Sequence, residues 1–279
     1  DPKYEGLIHG AGMVLLLILM AAMLLLTTTA CKKEAEPEAE GGEKKGTATQ
    51  ADDAAKKAEI PVVEVADPTV RISGDWKYVL LTDGTARIVG YTGNAKELTV
   101  PAQLDGYAVT SIGEEAFYDC TSLTNVTLHD NLTSIGNNAF SYCIHLASIT
   151  LPDSVTELGT TIFLECSALQ SVKLGNSVPY ISARLFSYCT SLTSVNIPNS
   201  VTRIDGEAFQ YCTSLSTLDI PDSVQSIGVG AFWECISLQS IVIPSSVTVI
   251  ERNTFSSCVD LTEITIPVTV KAINELAFD

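Results

Sequence analysis

The chain has 279 residues and a mass of 29.7 kDa, enough for one or two folded units with a sizeable core. Apolar residues make up 46%, which excludes wholesale disorder. Its 33 acidic residues against 16 basic ones give a net charge of −17, so general nucleic-acid binding and attraction to anionic lipid through a basic patch are not expected.

Residues 14–26 form an uninterrupted apolar run, followed by Thr27, Thr28, Thr29, Ala30 and Cys31. The run is shorter than the ~20 residues a helix needs to cross a bilayer, and it suits the h-region of a secretory signal. The Cys directly behind it resembles a bacterial lipoprotein signal. That resemblance implies that residues 1–31 are a leader and that Cys31 is the lipid-attachment residue, tying the protein to a membrane. Thr28 stands where that pattern has Leu, and Lys3 is the sole Lys or Arg before Cys31. Plain secretion and an uncleaved anchor over residues 14–30 are the alternatives. Lys32 to Glu59 contains no Val, Ile, Leu, Phe, Tyr or Trp, and Pro37 interrupts any helix. Residues 32–68 are therefore expected to be a solvated tether, since such a segment buries too little surface to offset its ordering entropy.

Residues 69–108 carry the signals of a cap. Trp76 to Leu81 and Thr85 to Val89 flank an Asp83-Gly84 pair, the signature of a β-hairpin. Glu97 to Val100, closed by Pro101, has the look of a first rung.

From residue 109 a repeat governs the chain. Phe117, Phe140, Phe163, Phe186, Phe209, Phe232, Phe255 and Phe278 recur at a step of 23, as do Cys120, Cys143, Cys166, Cys189, Cys212, Cys235 and Cys258. The Leu column from Leu123 to Leu261 keeps the same step. Each period reads Val-x-x-Ile-Gly-x-x-Ala-Phe-x-x-Cys-x-x-Leu-x-x-Val-x-Leu-Pro. The expected fold is a repeat solenoid of leucine-rich-repeat type over residues 109–279, with one short parallel strand and a turn or short helix per 23-residue repeat and an N-terminal β-hairpin cap. The Leu-x-x-Val-x-Leu segment supplies the strand, Pro152, Pro198, Pro221, Pro244 and Pro267 end it, and Ala-Phe-x-x-Cys has the spacing of one helical or 3₁₀ turn. A single period buries too few side chains to stand alone, so stability must come from stacking. The eighth period starts at Val270 and is incomplete at Asp279, which reads as a fragment of a longer frame.

The segments Ala208-Phe209-Gln210-Tyr211-Cys212-Thr213-Ser214-Leu215 and Ile220-Pro221-Asp222-Ser223-Val224 closely resemble the BspA-type leucine-rich repeats of bacterial cell-surface proteins. The entry into the array at Asp105-Gly106-Tyr107-Ala108-Val109 resembles that family as well. The resemblance covers residues 72–279. It implies a secreted or surface-anchored binding protein associated with adhesion to host matrix and plasma proteins, with a protein or glycan partner and no catalytic residues. Departures fall at Thr254 in the Ala column, His129 and Gly175 in the Pro column, and Ser182, Asp205, Glu251 and Asn274 in the Gly column.

Candidate chemistry is sparse. The repeat cysteines are expected to be buried, reduced thiols, since in-register copies stack their sulfurs and no Cys-x-x-Cys zinc spacing occurs. His129 and His145 replace turn residues of the repeat. No cofactor or metal is implied, no nucleophile elbow or phosphate loop occurs, and nothing bears on oligomeric state. Two surfaces remain as candidate binding sites. One is the outward strand column Thr127, Thr150, Lys173, Asn196 and Asp219, with Ser148, Ser171, Ser194, Thr217 and Ser240 beside it. The other is an aromatic edge of Tyr188, Tyr211 and Trp233. The functional expectation is a surface-anchored protein that captures a protein or glycan. The alternatives are a rigid spacer presenting a further C-terminal domain and a periplasm-facing capture lipoprotein.

Overall fold

The computed structural model describes residues 65–279. The leader expectation for residues 1–31, Cys31 as lipid-attachment site included, and the tether expectation up to residue 64 lie outside the described residues.

The cap is larger than a hairpin. Strands β1 (Val65–Ser73), β2 (Trp76–Leu81) and β3 (Ala86–Tyr91) form an antiparallel meander, so β1 begins inside the segment read from sequence as tether. Gly84, with φ of 81°, takes the left-handed position of the β2–β3 turn. Short strands β4 (Glu97–Thr99) and β5 (Gln103–Leu104) lead to β6 (Tyr107–Ile112), which folds back on β5 and pairs in parallel with β3. The Asp105 carboxylate ties the cap together by accepting from Ser73 Oγ and Tyr78 Oη, both at 2.8 Å. Trp76 and Tyr91 then close the first coil, with ring centroids 6.1 and 6.0 Å from that of Phe117.

Beyond the cap the chain winds as a parallel β-solenoid in which each coil carries two strand positions rather than one. At the first, Glu97–Thr99, Asn125–Thr127, Ser148–Thr150, Ser171–Lys173 and Ser194–Asn196 pair in register as one five-stranded sheet. The middle residues Val126, Ile149, Val172 and Val195 are buried, and their neighbours on either side are exposed. At the second position, Ser134–Ile135 and Glu157–Leu158 continue the sheet that starts in the cap. Arg203–Ile204 pairs with Ser226–Ile227, and Val249–Ile250 with Ala272–Ile273, further along the same side. This second ladder is the Val-x-x-Ile segment of the repeat. It is legible only as a two-residue strand, too short for an alternation signal.

The Ala-Phe-x-x-Cys segment is not a helix, and no helix occurs among the described residues. Its amides alternate in direction. Those of Glu115, Phe117 and Asp119 donate to Asn137, Ala139 and Ser141 of the next coil at 2.8–3.0 Å, whereas Ala116, Tyr118 and Cys120 turn back to Gly113, Glu115 and Phe117. To sustain that alternation Glu115 and Asp119 adopt φ of 55°, and Asn138 and Tyr142, Thr161 and Glu165, Arg184 and Tyr188, and Glu207 and Tyr211 repeat the pair. Left-handed backbone costs a non-glycine residue roughly 1–2 kcal/mol. Here the ladder bonds to the next coil offset it, a term that spacing alone does not reveal.

Inside, eight Phe rings from Phe117 to Phe278 form one stack with centroids 4.9–5.8 Å apart. Six of the repeat cysteines, Cys143 to Cys258, are free thiols. Each donates to the carbonyl of the Phe one coil earlier, at 3.1–3.2 Å. Cys120, at the start of the column, is buried as well and is not one of these free thiols.

The Gly column has a structural reason. A Cβ at Gly136 or Gly159 would lie 2.6 or 2.4 Å from backbone nitrogen of the preceding coil. The Gly136 and Gly159 amides reach back to Ile112 and Ile135 at 2.8 Å. Where a side chain follows a Gly coil, at Ser182 and Glu251, the backward amide bond is missing and the second ladder is interrupted. Ser182 compensates in part, its Oγ donating to Gly159 O at 2.6 Å. The departures at Ser182 and Glu251 therefore leave the fold intact but break its hydrogen-bond continuity, whereas Asp205 and Asn274 keep the backward bond, to Ile181 and Ile250 at 2.8 and 2.9 Å.

Candidate functional site

The first candidate surface is the outer side of the five-stranded ladder. Thr127, Thr150, Lys173 and Asn196 stand exposed on successive strands, one coil apart, beside exposed Ser148, Ser171 and Ser194. The alternation that buries Val126, Ile149, Val172 and Val195 directs these side chains outward. Asp219 is exposed too but does not belong to the same sheet, because the ladder stops at Ser194–Asn196. The next coil joins its successor only through a bridge from Thr217 to Ser240. Val242 follows on that side with 62% of its surface exposed, an apolar interruption before Thr265 continues the polar column. Asn196 has a structural role, because its Oδ1 accepts the Leu174 amide at 2.8 Å, where Leu151 uses the Lys173 carbonyl of the next coil. Lys173 and Asp219 are thus the charged groups of this column, and no other described residue engages their side chains by hydrogen bond or ion pair.

The second candidate, the aromatic edge, lies on the turn side. Tyr188 and Tyr211 hold the position before the repeat Cys on neighbouring coils and stack face to face at 4.5 Å, with planes 10° apart. Trp233 comes from the adjacent column and tilts against Tyr211 at 6.0 Å. Tyr188 is 37% exposed, whereas Tyr211 and Trp233 are half-buried. The ring faces between Tyr188 and Tyr211 are therefore closed to a ligand. Burial pushes the Tyr211 hydroxyl above its usual pKa, with the nearby Glu234 charge adding to the effect.

A third surface lies outside the expectations from sequence. On the outer side of the second ladder Arg87, Ser111, Ser134 and Glu157 line up on successive strands. Arg87 Nε donates to Ser111 Oγ at 3.1 Å, and Ser134 Oγ to Ser111 Oγ at 2.8 Å. With Leu81, Asp83, Thr110 and Thr133 they line a dish of about 130 Å³. Burial pushes the Glu157 carboxyl above its usual pKa, opposed by Arg87. Further along the same column Arg203 lies 3.8 Å from the Tyr180 ring centroid and pairs with Asp205 at 2.9 Å. The signal in the sequence is a column that reads Ser, Ser, Glu, Tyr, Arg at the 23-residue step. A repeat read with one strand instead of two hides it.

Stacked parallel coils, a stripe of Leu, Val and Ile facing one core, and solvent-exposed columns on the strands define a protein of the leucine-rich-repeat solenoid class. The BspA type leucine rich repeat region matches residues 91–216 and 179–279, with six copies of the repeat, and the chain belongs to that family. Among solved structures, the leucine rich repeat protein of T. pallidum is 29% identical, with a TM-score of 0.51 over 74% of this chain and 86% of that one. A leucine rich cell surface protein from Faecalibacterium prausnitzii A2-165 is 28% identical, with a TM-score of 0.46 over 76% of this chain and 86% of its own. No curated protein matches the chain.

Proposed function

We propose that the protein is a surface-attached binder whose first strand face captures a protein or glycan, and that it works without catalytic residues or a cofactor. The observation that supports this most is the five-strand ladder itself. It holds hydroxyls and one Lys at a fixed pitch on a rigid, outward face, with the hydrophobic demand of the fold met on the other side of the same strands. Weak contacts repeated at one pitch combine through effective concentration, so such a face needs no deep pocket. Family membership and the signal-like segment that ends at Cys31 support a position at the cell surface, with Cys31 as the lipid-attachment residue.

The test uses Lys173→Ala with Asp219→Ala, leaving Asn196 in place because it holds the Leu174 amide. Wild-type and variant proteins are compared on a panel of plasma and matrix proteins and on a glycan array. Capture by the wild type that falls at least severalfold in the variant, at unchanged melting temperature, supports the reading. Equal capture by both removes this face as the site. Separately, Cys31→Ala should release the protein from the membrane fraction into the medium, and retention there overturns lipid attachment at that residue.

A further inference from the structure

On the turn side, the position before the repeat Cys reads Asp119, Tyr142, Glu165, Tyr188, Tyr211, Glu234 and Ser257 along the coils. All share one backbone conformation, with φ between 55° and 62°, so their Cα–Cβ bonds leave the ribbon in the same direction. Tyr142 uses one side of its ring against Tyr118, with centroids 5.3 Å apart and planes at 58°. Tyr188 uses one face against Tyr211 at 4.5 Å. Both partners lie away from Glu165: Tyr118 is on the coil before Tyr142, and Tyr211 on the coil after Tyr188. The face of Tyr188 turned away from Tyr211 looks toward the single coil between Tyr188 and Tyr142, which carries a carboxylate instead of a ring.

Two coil steps of ~4.8 Å separate the Tyr142 and Tyr188 positions by roughly 10 Å. Two ring half-thicknesses leave room for one planar group of ~3.4 Å with some slack. The Glu165 side chain makes no hydrogen bond or ion pair with any described residue. Arg184, on the same coil as Tyr188, is occupied by Glu207 at 2.6 Å. The slot therefore has the free face of Tyr188 on one side, the Tyr142 ring on the other, and an anionic residue between them.

We propose that Tyr142, Glu165 and Tyr188 form a subsite for a cationic side chain, an arginine on a basic segment of a partner protein. A guanidinium is flat enough to enter between the rings, is weakly hydrated, and meets its counter-charge at Glu165. The net charge of −17 draws basic partners toward the protein before contact. This subsite is independent of the strand face and uses the aromatic edge at its Tyr188 end only. The other acids of this column lack the second wall: Glu234 has Tyr211 on one side and Ser257 on the other, and Asp119 lies at the start of the column beside Tyr142.

The test is an NMR titration of the full chain with the blocked peptide acetyl-Gly-Ser-Arg-Ser-Gly-amide and its citrulline counterpart, which keeps shape and loses charge. The expected result is a saturable shift of resonances at residues 142, 165 and 188 with the arginine peptide, at least fivefold tighter than with citrulline. Glu165→Gln should weaken binding about three- to fivefold, in line with one half-exposed charge pair. Tyr142→Phe should bind as the wild type does, because the ring face and not the hydroxyl makes the contact, whereas Tyr142→Leu should weaken binding by a similar factor. Glu234→Gln should leave binding unchanged and serves as the control for bulk charge. Equal binding of the two peptides, shifts centred elsewhere, or equal losses in Glu165→Gln and Glu234→Gln would overturn the proposal.

Discussion

The thiol of Cys212 donates to the backbone carbonyl of Phe186, 26 residues earlier, at 3.2 Å. The same bond recurs for each free cysteine of the array, so the cysteine column acts as a set of hydrogen-bonded struts between coils. Its role is a structural one, and burial keeps the thiols protonated.

A pH dependence follows from that burial. It pushes the Cys143 thiol up to about 12 from an ordinary value of 9.0, and raises Cys166, Cys189, Cys212 and Cys235 in the same way. A raised folded pKa gives stability that is complete below the unfolded value and lost as pH climbs through the folded one. Unfolding free energy should therefore fall steadily from pH 9 to pH 12. Urea melts across that range should show a shallower fall in a Cys166→Ala, Cys189→Ala double variant, and an identical slope would show that the thiols are not the cause. Below pH 9, alkylation of the native protein should reach Cys258 first among the free cysteines of the array, because it is half-buried while Cys143 to Cys235 are buried.

His129 gives the opposite sign. Burial lowers its pKa from 6.5, opposed by the Pro101 carbonyl and by Asp130, and its Nδ1 accepts the Asn131 amide at 3.2 Å. A depressed histidine is neutral in the fold, so the unfolded chain binds the extra proton as pH drops. Stability should decline below pH 6.5 relative to a His129→Asn variant. Parallel stability curves for the two proteins between pH 7.5 and 5 would remove His129 as the sensor.

Gly159→Ala should destabilise the array by about 1–3 kcal/mol through overpacking, since its Cβ would lie 2.4 Å from the Asn137 nitrogen. The same substitution at Gly206, where the nearest atom is a carbonyl oxygen at 3.2 Å, should cost clearly less. Thermal melts of the two variants provide the comparison, and equal losses would contradict the close-approach account.

Asn196→Ala should cost about 1–3 kcal/mol, because it leaves the Leu174 amide without its acceptor. Lys173→Ala, on the neighbouring strand, should stay within about 0.5 kcal/mol of wild type. Chemical denaturation of the pair separates a structural residue from a free one on the same face.

Much of this architecture is legible in the sequence. A 23-residue step fixes which side chains share a column, and Phe and Cys in strict phase can only line a shared interior. The second ladder is not legible, since pairs such as Ser134–Ile135 are too short to alternate. Nor are the left-handed residues. Tyr142, Glu165 and Tyr188 are not glycine, and only the ladder bonds to neighbouring coils explain why they take that conformation. The strand-face residues are identified by column, yet the break before Asp219 and the structural role of Asn196 depend on hydrogen bonds that a column does not record. Tyr142 and Glu165 escape a search for adjacent rings, because the slot arises where a ring is skipped.

The interruptions of the two ladders fall at different joints. The second ladder is open between Leu158 and Ile181 and between Ile227 and Ile250, and the first is open between the coils of Asn196 and Asp219. At each of these joints the other ladder still holds, through Ile149 with Val172, Thr217 with Ser240, and Ile204 with Ile227. The seams are offset like those in coursed masonry, so no single plane between coils lacks strand pairing on both sides. An array jointed in this way can bend at one face while the opposite face stays latched, and it has no prepared line along which to shear.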